Sequence, residues 1–451
     1  MLSPDHIRLA LTATALLLTA GILFRPFYGV IGYLIIMVVR PGVYYPALGS
    51  IRIELIVGLI NIAVMLFSPG RLQRGSPKQS GITKSMLILY GIMLVSMIQA
   101  FNFSHSYDWM KEFTKVLVFF MMIVTLSETE RDLETLLWVF GILTAYLAYQ
   151  AIYNFHTGFI VKSISDQRID YATTGDGMGA GHVALANLIL QGMPFLWYLS
   201  IANTNRLLRT VGFGLLVLCL YGVIISGSRG GFVGLVVFYL CLLYFSKKRI
   251  VVGIAGVAGA FLLPLVAGEN YLNYMDTILG LFTGSAGVSE SSRITGLKHG
   301  FEMLLQRPLL GVGPGCYPLA RKAWFGWGLW AHNHYGELMG DLGIIGTIAW
   351  FALFKNYFMK AWPVVKERSP DPSLNSIYPA IVVSSIVRLV VGMGTHSVYI
   401  FFWYMIAAVI AASSRIRTES GKEKAMSLPD KGPKASRIKP HGGSARETKQ
   451  R

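Results

Sequence analysis

The chain alternates between long apolar runs and short polar connections almost from end to end. Predominantly apolar segments fall at 6–23, 26–39, 52–68, 85–103, 109–127, 133–155, 181–201, 208–226, 230–246, 249–267, 331–354, 376–394 and 397–413. Most are long enough to cross a hydrocarbon core of about 30 Å as a helix. Strand-like alternation with a period of two is absent, which argues against a membrane β-barrel. The pattern predicts an all-α polytopic membrane protein with about 12 (11–13) transmembrane helices. The segment 26–39 is short and bounded by Pro26 and Pro41, so it reads either as a full span or as a tilted or re-entrant one. Thirteen spans put the N-terminus outside, and twelve put both ends in the cytoplasm.

Short basic connections set the orientation, because Lys and Arg accumulate on the cytoplasmic side. The segments 71–84, 203–209, 246–249 and 355–368 are of this kind. By alternation 102–108, 156–180, 227–230, 268–330 and 395–397 fall outside. The stretch 268–330 is far longer than the other connections, and loops of that length in compact proteins are commonly functional. It carries GVGPG and the aromatics Phe301, Trp324, Phe325, Trp327 and Trp330. It is expected to fold over the outer face as a small lid with a helix near 292–305. The chain divides into N-terminal spans (1–129), a helical core containing the large loop (130–413) and a basic tail (414–451).

Composition agrees with a membrane protein: 53% of residues are hydrophobic and 14% charged, against about 25% charged in soluble domains. Of the formal charge of +17, +7 lies in residues 414–451, which hold eleven Lys/Arg and four Asp/Glu, 11 − 4 = +7. That tail has little to bury and reads as disordered, cytoplasmic and topology-setting, with anionic lipid headgroups as a secondary partner and no nucleic acid implied. Cys219, Cys241 and Cys316 show no metal-ligand spacing and imply no disulfide; cysteine within an apolar run acts as a small hydrophobe. Residues 9–23 lack a cleavage site of the A-x-A kind, so the first span reads as its own signal.

Candidate chemistry lies where charges interrupt the pattern on the outer side. Arg168, Arg229, Arg293, Lys298, Arg307, Arg321 and Lys322 all fall there, and arginine's planar fork suits phosphate oxygens. Arg229 ends one apolar run and is followed by Gly230 and Gly231, which let a ligand approach closely. Arg293 begins an amphipathic stretch, whereas Arg307, Arg321 and Lys322 read as solvated. His332, in AHNHY, stands at the head of an apolar segment, and imidazole suits general-base work near neutral pH. Glu337 and Asp341 follow at one and two helical turns and could orient the helix or the imidazole. Arg388 falls inside a span, where an arginine marks either a functional site or a structural pair. Lys111 and Lys115 could add charge around a pyrophosphate or anchor their helix. Asp176, His182 and Asn187 crowd another outer helix start.

Three motifs in this order and spacing, SGSRGGFVGL (226–235), RPLLGVGPGCY (307–317) and HNHYGELMGDLGIIG (332–346), resemble those of the O-antigen ligase and O-antigen polymerase superfamily of bacterial membrane glycosyltransferases. The resemblance spans about residues 130–410. The opening RPFYGVIGYLIIMVVRPGVYYPALG is also similar to exosortase-associated O-glycosylation ligases. Membership implies an inverting, metal-independent transfer without cofactor, at the periplasmic face of the inner membrane. A glycan would pass from undecaprenyl pyrophosphate to a hydroxyl of lipid A core, of another glycan or of a protein. The resemblance implies pyrophosphate binding by Arg229, Arg293 and Arg168 and acceptor activation by His332; Arg388, Lys115 and Glu337 are candidates for support from the reading of the residues themselves. An exopolysaccharide polymerase shares the donor and differs in the acceptor. A flippase for an anionic lipid would also use outer-face arginines, whereas an inactive envelope partner would tolerate the loss of His332.

Overall fold

The computed structural model describes residues 3–67, 80–157, 182–246, 249–254, 256–259, 288–367, 369 and 371–427. Those residues form helices joined by turns. The longer ones are α1 (Pro4–Ala20), α2 (Phe27–Val39), α3 (Ile53–Leu66), α4 (Gly81–Ile98), α5 (Phe103–Leu126), α6 (Glu130–His156) and α7 (His182–Ala202). They continue with α8 (Arg206–Ile225), α9 (Arg229–Phe245), α10 (Val288–Gln306), α11 (Tyr317–Phe325), α12 (His334–Lys366), α13 (Leu374–Val391) and α14 (Phe401–Ser427). Among the described residues seven helices are long and apolar enough to cross a membrane: the one opening at Pro4, α4, α6, most of α7, α8, α12 and the one from Leu374. The shorter apolar helices include α2, α3 and α9. The polytopic, all-helical class expected from the pattern is what the described residues show. The short segment between Pro26 and Pro41 is a helix buried on nearly every side within the core.

The helices start where the sequence supplies caps. Ser80, Asn102, Thr129, Asn205, Ser228 and Asn333 each accept a backbone N–H in the first turn that follows, satisfying donors that a helix start leaves orphaned. Side-chain contacts fix which helix ends lie together. Arg25, just after α1, pairs with Asp132 in the first turn of α6. At the far end of α6, His156 bonds the Tyr221 hydroxyl near the end of α8, at 2.9 Å, and α9 begins four residues beyond α8 at Arg229. The start of α1 therefore lies at the Arg229 end of the bundle.

Two expectations change. The apolar run 331–354 is not one straight span. Gly343 has φ 61° and ψ −164°, a conformation essentially confined to glycine, and there α12 folds back. His334 and Trp350 are sixteen positions apart, which along a straight helix is about 24 Å, yet their ring centroids are 4.5 Å apart. The tail also begins later than composition suggests. α14 runs on to Ser427, with Arg415 buried, paired with Glu419 at 2.8 Å and donating to the Ser127 carbonyl. A buried arginine with partners at both ends holds the helix to the bundle beyond residue 414; residues 428–451 lie outside the described ones.

Candidate active site

The fold-back of α12 is built from two of the three motifs. Residues 307–317 lie against the bend: Val312 N and Gly313 N donate to the Gly340 and Asp341 carbonyls at 2.9 Å, and Ile344 N donates to Pro308 O at 2.8 Å. Gly311, Gly313 and Gly315 all have positive φ, which lets the loop turn tightly enough to reach those groups. Asp341 sits beneath it. One oxygen accepts from Tyr317 N at 2.7 Å; the other accepts from Gly315 N at 3.0 Å and from the Tyr399 hydroxyl at 2.9 Å. The GVGPG glycines thus serve backbone geometry, and Asp341 holds this loop rather than orienting His332.

The described part of the large connection, from Val288 on, is wedged into the protein. α10, which contains the helix expected near 292–305, runs parallel to the first part of α12. A Cβ at Gly296 would fall 1.9 Å from the Ala331 carbonyl, and one at Gly300 would fall 2.2 Å from that of Gly336. That contact carries the side chain of Arg293 to Gly394, with the guanidinium carbon 3.6 Å from where a Cβ would stand. α11 follows, and Arg321 is fully buried, donating to the carbonyls of Leu329 (3.2 Å) and Trp330 (2.9 Å) and to His299 Nδ1 (3.0 Å). The expectation of a solvated Arg321 is overturned: its fork shapes the turn that leads into His332.

His332 precedes α12 instead of lying on it. Its φ is 46°, uncommon for a residue with a side chain, while Asn333 caps the helix through the N–H groups of Tyr335 and Gly336. The imidazole is half-buried, forms no side-chain hydrogen bond among the described residues and faces His396 at 5.8 Å between ring centroids. Burial first, then the positive charges of Arg293 and Arg321, hold its pKa below the ordinary 6.5. These influences keep the ring neutral and basic nitrogen available.

Arg293 and His332 therefore come together, with Arg321 behind them. Arg229 opens α9, whose Gly231 packs on Ala186 and whose Gly234 packs on Leu190 and Val391. Arg229 thus lies at the same end of the bundle, by the end of α13 from which Gly392–Gly394 leads to Arg293. Glu337 is buried and accepts from Ser397 N (2.8 Å) and Val398 N (3.0 Å), so it fixes the connection between α13 and α14 and does not touch His332. His334 is buried beside it, bonded to Ser397 Oγ at 2.9 Å. Arg388 is also buried, beside Glu337 and His334, with Nε and Nη2 lacking a partner. Lys115 is placed elsewhere, paired with Glu112 at 2.6 Å and near Glu54. Asn187 is buried on α7. Arg168 and Asp176 lie outside the described residues. His396 was not singled out by sequence reasoning; a lone histidine in a connection carries no motif. Among the described residues no three His, Cys, Asp or Glu side chains converge as metal ligands.

Residues 214–351 match the family model described as O-antigen ligase. The match supports the superfamily expected from the motifs. It takes in Arg229, Arg293, His332, Glu337 and the bend at Gly343, and it ends before Arg388 and His396. A comparison with curated proteins gave no match. Over that third of the chain the protein is similar to O-antigen ligases, within a polytopic helical architecture.

Proposed function

We propose that the protein transfers a glycan from undecaprenyl pyrophosphate to an acceptor hydroxyl at the periplasmic face of the bacterial inner membrane, with inversion and without a metal ion. The observation that carries this reading is the half-buried imidazole of His332 beside the guanidinium groups of Arg293 and Arg321, in an O-antigen ligase-like chain. His332 takes the proton of the acceptor hydroxyl. The oxygen attacks the anomeric carbon from the face opposite the leaving group. The bond between the anomeric carbon and the bridging pyrophosphate oxygen breaks, and undecaprenyl pyrophosphate leaves with the electron pair. Arg293 and Arg229 hold the pyrophosphate, and their charge stabilises what develops there as that bond breaks. Glu337 and Arg388 support the site from below; Arg168 is a further candidate for the pyrophosphate.

The test is transfer in vitro with EDTA present. Purified protein, an undecaprenyl-pyrophosphate glycan and candidate acceptors (lipid A core, a second glycan, a protein) are combined for wild type, Arg229→Ala and His332→Ala. Transfer by wild type that both substitutions abolish supports the reading, and the acceptor used separates ligase from polymerase. Full transfer by His332→Ala removes it from the role of base. Movement of lipid across vesicles without transfer makes the protein a flippase.

A further inference from the structure

A second imidazole enters the site from the connection between α13 and α14. That connection is gripped along its length. Asn333 donates to Met393 O at 3.0 Å, Arg293 lies against Gly394, and the buried carboxylate of Glu337 accepts from Ser397 N and Val398 N. His396 sits between these anchors. One face of its ring stacks on Trp330, with centroids 5.1 Å apart and planes 18° apart. His332 is a second ring neighbour, at 5.8 Å and 57°. Trp330 in turn packs edge-on against Trp109 of α5 at 5.1 Å, and the Arg321 fork holds its carbonyl. A row of rings thus runs from α5 to the candidate base.

General-base histidines are ordinarily oriented by a hydrogen bond from the second ring nitrogen to a carboxylate or carbonyl. His332 has none among the described residues, and Glu337 and Asp341, the acids nearest in sequence, are committed to backbone amides. Its backbone is held in a left-handed turn, so a wall beside the ring decides where the nitrogens point.

We propose that His396 is a positioning residue for His332: its ring, backed by Trp330, fixes the direction of the His332 imidazole by packing. This deepens the reading of His332 as the base and rests on it.

The test uses the full chain in detergent or nanodiscs with the lipid-linked glycan and its acceptor. His396→Ala removes the wall and is expected to lower kcat on the order of 100-fold, with KM for the donor changed by no more than about twofold. His396→Phe keeps a flat ring against Trp330 and is expected to recover to within about tenfold of wild type. If His396→Ala does not fold, His396→Asn replaces it with the same expectation. Wild-type kcat in the ring-deleted variant overturns the proposal. A Phe variant as impaired as Ala also overturns it, because the ring nitrogens would then be what matters. A second readout needs no transfer at all: carbethoxylation of His332 by diethyl pyrocarbonate, followed at residue resolution by mass spectrometry. It should quicken in His396→Ala and stay near the wild-type rate in His396→Phe; an unchanged rate in Ala overturns the positioning role. Quickening in a protein that transfers no glycan would keep the wall and discard the glycosyltransferase reading.

Discussion

The two ends of the bundle hold their buried polar groups differently. Around Asp132 the groups are paired: its carboxylate accepts from Glu128 N, Thr129 N and the Arg25 guanidinium, while Thr129 Oγ1 accepts from Asp132 N in return. Nearby, Ser413 donates to Glu130 Oε1, Ser376 donates to Glu134 and Arg415 reaches Ser127 O, while Glu130 Oε2 and Ser127 Oγ are buried without partners. At the other end His332 has a left-handed backbone, and Nε2 of His334 and two nitrogens of Arg388 are buried without partners. Satisfied groups at helix starts hold a fold together; strain and unmet hydrogen-bonding capacity persist where a structure serves something else. On that contrast, substitutions near Asp132 should cost stability, and substitutions near His332 should cost chemistry.

The largest separation is expected from His332→Ala. Removing a general base should lower transfer about 10²–10⁴-fold while the thermal midpoint stays near that of wild type. A variant that melts early, with activity falling only in step with the folded fraction, would place His332 on the stability side. Next comes Arg293→Ala, which on the proposed reading removes a charged hydrogen-bond donor from the leaving group and should cost about 10²-fold in kcat/KM. Arg293→Lys should recover only part of that, because an ammonium lacks the bidentate fork.

Asp132→Ala sharpens the other side. It deletes the acid half of a capping box and the partner of Arg25, and a loss of roughly 1–2 kcal/mol follows from the cap and its hydrogen bonds. Arg25 is 45% exposed, so the ion pair itself adds little. Thermal unfolding in detergent should show the loss, with transfer per folded molecule unchanged; a selective fall in kcat would break the comparison.

Much of the candidate site was legible: Arg229 and His332 stand out as polar groups at the ends of apolar runs, and Arg293 as a charge opening an amphipathic stretch of the long loop. The fold-back at Gly343 was hidden, since apolar residues on both sides read as one span. The bend is decided by hydrogen bonds from Val312, Gly313, Ile344 and Ile345 that join segments some thirty positions apart. Arg321 misled for a related reason. A charge in a long outer loop looks solvated until the carbonyls of Leu329 and Trp330 are brought to it by the turn of the chain. His396 had no pattern of its own; only the stacking of Trp330 and the grip of Glu337 on the following amides give it a place.

The smallest expected effect is a displacement of a pH profile, and it distinguishes burial from charge at the His332 end. A base must be neutral, so transfer should rise with pH through the His332 pKa. Burial is the larger cause of its depression, and the Arg293 and Arg321 charges come second, so the acid limb of kcat/KM should lie below the ordinary 6.5. Arg293→Ala removes one charge and leaves the burial, so the limb should move upward without reaching the ordinary value. The same depression has a sign for folding. The unfolded chain binds this proton at higher pH than the folded one, so the contribution of His332 to stability is intact above the unfolded pKa and falls as pH drops below it. A wild-type limb at or above 6.5, or one that Arg293→Ala leaves in place, would mean that His332 does not feel the arginine beside it, and the pairing of base and pyrophosphate site would have to be redrawn.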